Sequence, residues 1–226
     1  MTYRKTVFAT NEFYHIFNKT ILSEPIFNNQ RVAKRSLNLL NYYRFPNHLS
    51  YSRLLSLPKE VQQIRLNQLN LLPPTVSILS FSFMPNHFHL LIKQLQEGGI
   101  TRFLSNFQNS LAKYFNTMQH REGKLFLEMF KAVHIESEQQ LFHVSRYIHL
   151  NHITSYLMKF DDLEKYPYTS FCHYSGNIKY DFVDSDLIFS YFKTAGKYKK
   201  FVSDQVDYQR KLKLIKDLMI DYPVRY

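Results

Sequence analysis

The 226-residue sequence contains a single cysteine, Cys172, which excludes an internal disulfide and any zinc site built from several thiolates. Glycine is scarce, at five residues. No Gly-rich phosphate loop can be found, so a nucleotide-binding fold is not expected. No apolar run approaches the ~20 residues that a membrane span needs. The opening MTYRKTVFATNEFYH lacks the apolar core of a signal peptide. The expectation is a soluble, cytoplasmic protein with no membrane partner. Acidic residues are also few, 18 against 29 Lys and Arg, which leaves a formal charge of +11. Such an excess concentrates polyanions, nucleic acid first among them, although plain solubility would account for it too.

Aromatic residues, by contrast, are plentiful: 17 Tyr and 20 Phe, with no Trp. Many belong in a core, and exposed ones could stack on unpaired bases. EFYHIFNKTI (12–21) reads as a first strand and 29–43 as a helix. Residues 44–74, punctuated by Pro46, Pro58, Pro73 and Pro74, read as an insertion with a short helix near 58–70. VSILSFSFM (76–84) and HFHLLIK (87–93) are strand-like runs separated by Pro85–Asn86, a hairpin signal. From Ile100 through Phe103, Phe107 and Leu111 to Met118 an apolar stripe recurs at helical spacing. FKAVHIE (130–136) is extended again, and Ser137 fits the N-cap of a helix over about 138–151. This order predicts an α+β fold, an antiparallel sheet with helices on one face. Residues 157–226 are less regular, with a basic cluster at Lys193, Lys197, Lys199 and Lys200.

Two groups of residues could do chemistry. His87 and His89, two apart in a strand, present both rings to one face, where they could meet one metal ion. Two histidines on a solvated face would give the same pattern. On the helix at 138–151, Gln140, His143, Tyr147 and Asn151 share a stripe beside the apolar one, so Tyr147 and Asn151 can act at one site. A tyrosine half-buried at a helix–sheet seam would look the same. His15, His48 and His120 read as ordinary surface or core histidines, and Cys172 as a small buried hydrophobe.

Taken together, MPNHFHLLIK (84–93), FKAVHIES (130–137), SRYIHLN (145–151) and YPYTSFCHYSG (166–176) resemble the single-tyrosine HUH transposases. That family includes the insertion-sequence single-strand transposases and the REP-associated tyrosine transposases. The resemblance covers about residues 5–176, interrupted by the insertion. It implies a ferredoxin-like HUH endonuclease domain over 1–176 and leaves 177–226 as a basic, helical extension. It also implies a metal-dependent transposase that cuts single-stranded DNA bearing a hairpin. His87, His89 and Asn151 would ligate magnesium or manganese, although imidazole and oxygen donors would equally admit zinc. Tyr147 would be the nucleophile, forming a 5′-phosphotyrosine. Such proteins act as monomers or as homodimers. Two departures stand out. His152 occupies a position where proline is common, and LEMF (127–130) offers no arginine where the family often has one. Lys113, Lys131 and Arg146 remain as candidate phosphate contacts, and an ordinary solvated charge would account for each of them equally well. A replication initiator or relaxase-like nickase would share the chemistry, and a domesticated hairpin binder would keep the fold without cutting.

Overall fold

The computed structural model describes residues 6–46 and 49–206; His48 and the last twenty residues of the basic extension lie outside the described residues. Strand β1 (Phe13–Lys19) leads through two 3₁₀ turns to α1 (Gln30–Tyr43), which Asn29 caps by accepting from the Arg31 and Val32 amides. Within the expected insertion lie α2 (Tyr51–Leu55) and α3 (Lys59–Asn70). The insertion's ends are tied together by the Thr75 amide donating to the Arg44 carbonyl at 2.7 Å. Strands β2 (Val76–Met84) and β3 (His87–Gln94) follow, then α4 (Gly99–Met118), β4 (Lys131–Ile135) and α5 (Glu138–Thr154). The short helices α6 (Phe160–Leu163), α7 (Phe171–Tyr174), α8 (Asp186–Phe192) and α9 (Ala195–Ser203) complete the described chain.

All strand pairings are antiparallel, and the strands line up as β2-β3-β1-β4. Together with α1 and α4 as the crossovers, this is the βαββαβ arrangement of a ferredoxin-like unit. Met84 pairs with His87 across the two-residue Pro85–Asn86 turn. Proline is tolerated there because no ladder bond needs its missing amide hydrogen.

The α+β class and the antiparallel sheet agree with the sequence, but the helices lie on both faces rather than one. Helix α4 covers the face carrying Phe83 and Phe88; the Phe107 ring lies 5.3 Å from Phe88 and 6.5 Å from Phe83. Helix α1 packs against α4 on that side. Helix α5 crosses to the opposite face, where Ser80 and Ser82 alternate with those phenylalanines. Both serines are fully buried, and Ser82 Oγ lies 3.2 Å from His152 Nδ1 of α5. These small side chains let a helix approach what reads in sequence as a solvated side.

The segment after α5 encloses it from outside. Phe142 of α5 meets Tyr191 and Phe192 of α8 at ring separations of 4.6 and 5.4 Å. The fully buried Tyr198 of α9 places its hydroxyl 2.9 Å from Ser145 Oγ and 2.8 Å from His149 Nδ1. Phe83, Ser170 and Asp184 amides bond across to Tyr168, Phe81 and Ile78 carbonyls respectively, so this segment also covers the outer edge of β2. Of the basic cluster, Lys199 is paired with Glu164 at 2.5 Å.

Candidate active site

The pleat of β3 puts His87 and His89 on the α5 side of the sheet, with ring centroids 5.0 Å apart. His87 Nδ1 donates to Asn86 Oδ1 at 2.7 Å, which leaves Nε2 as the lone-pair nitrogen. His89 Nδ1 lies 3.0 Å from Nε2 of His15, a residue that reads in sequence only as an ordinary core or surface histidine. Register brings it there: on β1, His15 faces Leu91, one position diagonal from His89. Burial holds the His15 pKa down at about 4. Burial first, then the neighbouring His15, His87 and His152, pushes that of His89 well below the ordinary value. These rings are therefore neutral at pH 7, the state in which imidazole binds a cation.

Helix α5 is fixed at its start by Ser137, whose hydroxyl accepts from the Gln140 amide at 3.2 Å. Two and a half turns later, the Tyr147 ring stands edge-on to His89 and to His15, at 5.7 and 5.8 Å. It remains 40% exposed, so an incoming group can reach it. Partial burial raises its pKa, so the phenol is protonated at neutral pH and becomes a useful nucleophile only with a cation or base beside it. Asn151, one turn on, is buried, and its Nδ2 makes a long 3.5 Å bond to the Ile148 carbonyl.

His152 does not join this set. Its Nε2 donates to the Phe83 carbonyl at 3.1 Å and its Nδ1 faces Ser82 Oγ, so neither nitrogen remains for a ligand. Nor does it end the helix, which runs on to Thr154. Among the described residues, no three His, Cys, Asp or Glu side chains form a group able to hold a metal ion. A cation at this site would need the Asn151 oxygen to complete the two imidazoles. The donors fit that role. Among the described residues, neither Asn151 Oδ1 nor His89 Nε2 has a hydrogen-bond partner, and both histidines are oriented through Nδ1 as metal-binding histidines are.

The three basic candidates part company. Lys131, exposed at the start of β4, pairs in register with Phe17, which pairs with His89, so it lies on the site face. Lys113 projects from α4, on the other side of the sheet. Arg146 is buried. Its guanidinium stacks 4.2 Å from the Phe201 ring, donates to the Phe201 carbonyl at 3.3 Å and lies 2.6 Å from His143 Nδ1. It is committed to α9 and not offered to a phosphate.

A family model described as "Transposase IS200 like" matches residues 72–151, a span that begins before β2 and ends on Asn151. It therefore includes His87, His89 and Tyr147. No curated protein matches the chain. Among solved structures, the chain is similar to the REP-associated tyrosine transposase bound to a REP hairpin. The TM-score is 0.54 at 10% identity, with 82% of this chain and 93% of that one covered. At that identity the likeness speaks for the fold. A Deinococcus radiodurans protein with a provisional transposase description aligns over 66% of this chain and 95% of its own, at 16% identity and a TM-score of 0.35.

Proposed function

Residues 72–151 belong to the family of IS200-like transposases, and from that premise we propose that this chain cuts and rejoins single-stranded DNA through Tyr147. The observation that carries the reading is the edge-on seating of Tyr147 against both His89 and His15 within one chain. A structural tyrosine at a helix–sheet seam has no need of two neutral imidazoles beside it.

In this reading the Tyr147 oxygen attacks the scissile phosphorus while the bond to the 3′ oxygen breaks. The phenol proton leaves, the departing 3′ oxygen takes one up, and the 5′ phosphate stays on Tyr147. A 3′-hydroxyl attacking that phosphotyrosine reverses the step and rejoins DNA. The phosphodiester energy is conserved, so no nucleotide triphosphate is required. His87, His89 and Asn151 would hold magnesium or manganese, which supplies positive charge to the phosphate oxygens and favours loss of the phenol proton. The neutral imidazoles and buried Asn151 need little reorganisation to do so. The substrate in this reading is single-stranded DNA with a hairpin, and the REP-associated neighbour is itself bound to a REP hairpin.

The test pairs cleavage with binding. With manganese present, His87→Ala should abolish cleavage of a hairpin oligonucleotide while leaving most of the binding. Undiminished cleavage in that variant would overturn the metal-assisted reading.

A further inference from the structure

Helix α5 covers only part of its side of the sheet. It packs on β2 and β3 and less extensively on β4, and among the described residues the end of β1 and the start of β4 are left open on that side. The register shows what stands there. Lys19 pairs with His87, Phe17 pairs with His89, and across β1 the same Phe17 pairs with Lys131. Residues paired directly across an antiparallel ladder point to the same face. Lys19, Phe17 and Lys131 therefore share the face of the two site histidines, and Asn18 between them turns the other way, to Gln108 of α4. Both lysines are exposed and neither enters an ion pair among the described residues. The Phe17 ring is half-buried, 5.5 Å from the His89 ring. Val133, at 47% exposure, continues the open surface along β4.

We propose that this open half of the sheet is the track of the nucleic acid strand, with Lys19 and Lys131 gripping phosphates on either side of the one presented to Tyr147 and Phe17 stacking an unpaired base between them. The two lysines are diagonal neighbours across the ladder, about 7–8 Å apart at their backbones, with the Phe17 ring in the same face. Two exposed cations flanking an aromatic ring match the alternation of phosphate and base in a single strand. A duplex would keep its bases stacked inside and give Phe17 nothing to meet. The proposal rests on the reading of Tyr147 as the nucleophile for its polarity, but not for the binding it predicts.

The experiment measures affinity for a single-stranded hairpin oligonucleotide against salt in a Tyr147→Phe background, so that no cutting intervenes. Removing one cation that neutralises a phosphate of a single strand should reduce the slope of log affinity against log salt by about 0.7. Lys19→Ala and Lys131→Ala should each show that reduction, equivalent to about a 2.6-fold smaller loss of affinity between 50 and 200 mM salt. Lys19→Arg should restore the slope. Lys59→Ala, on exposed α3, serves as the control for charge alone and should leave it unchanged. Phe17→Leu should weaken binding without altering the slope. Slopes for Lys19→Ala and Lys131→Ala equal to that of Lys59→Ala would overturn the track. A covalent adduct from otherwise wild-type protein alongside such unchanged slopes would sink the track and spare the nucleophile. Lysine-dependent slopes with no adduct would do the reverse.

Discussion

Tyr198→Phe isolates one buried hydroxyl that ties α9 to the helix bearing the site. Its partners are His149 Nδ1 at 2.8 Å and Ser145 Oγ at 2.9 Å. His149 is completely buried and its other nitrogen lies 2.7 Å from Ser170 Oγ. Burial, with a smaller contribution from His173, lowers its pKa to about 3, so the ring is neutral; because Ser170 Oγ donates to the Phe81 carbonyl and so accepts from Nε2, Nδ1 is the acceptor that needs a donor. Phenylalanine fills the same space without supplying one. Ser145 keeps its bond to the Phe142 carbonyl at 3.0 Å, so a single buried acceptor is orphaned. The expected cost is about 1–3 kcal/mol, which at an m-value of about 2 kcal/mol/M shifts a urea midpoint by about 0.5–1.5 M. Urea unfolding followed by circular dichroism and by tyrosine fluorescence reads both size and cooperativity. Tyr191→Phe, at a 63% exposed position, should stay within about 0.5 kcal/mol of wild type. A Tyr198→Phe loss below that figure would refute the reasoning. So would an early, separate transition, because α9 would then not be part of the unit that holds α5.

Two further outcomes follow from the same packing. His149, at about 3, and His15 and His152, each at about 4, are held neutral mainly by burial. Below about pH 6.5 the unfolded chain binds protons that the folded chain refuses, so stability should be full above that pH and fall steadily towards pH 4. Each ring contributes up to about 1.4 kcal/mol per pH unit; urea midpoints that stay level between pH 7 and pH 5 would contradict this. The glycines give a contrast. A Cβ at Gly99, at the start of α4, would collide with the Thr75 carbonyl, a backbone atom, whereas one at Gly196 in α9 meets nothing. Gly99→Ala should cost about 1–3 kcal/mol and Gly196→Ala should be neutral or stabilising by up to about 1 kcal/mol, both read from thermal melts.

Local chemistry makes much of the fold legible. The α4 stripe, the Pro85–Asn86 hairpin and the Ser137 cap each announce themselves within a few residues, and all appear where the sequence places them. What stays hidden depends on contacts distant in sequence. His15 and His89 are 74 residues apart, and only the β1–β3 register brings them together. Arg146 looks like a free cation until Phe201, 55 residues later, stacks on it. Helix α5 shows a blurred apolar stripe because it is buried from two sides, by the sheet and by α8 and α9. Ser145, His149 and Leu150 are therefore as buried as Leu141 and Ile148. Helices α6 to α9 span only four to nine residues each, too short for a period to show. Lys19 escapes notice in the sequence for a related reason: its significance is the histidine it faces across the ladder.

The most direct test of the central claim is to trap the protein–DNA adduct and locate it. The protein would be incubated with manganese and single-stranded hairpin oligonucleotides from its own flanking DNA, resolved on a denaturing gel, and its shifted band digested for mass spectrometry. The account predicts a nucleotide-bearing peptide modified at Tyr147, and no shifted band from Tyr147→Phe or in the absence of metal. Tight binding of those oligonucleotides with no adduct, or an adduct on another residue, would contradict it.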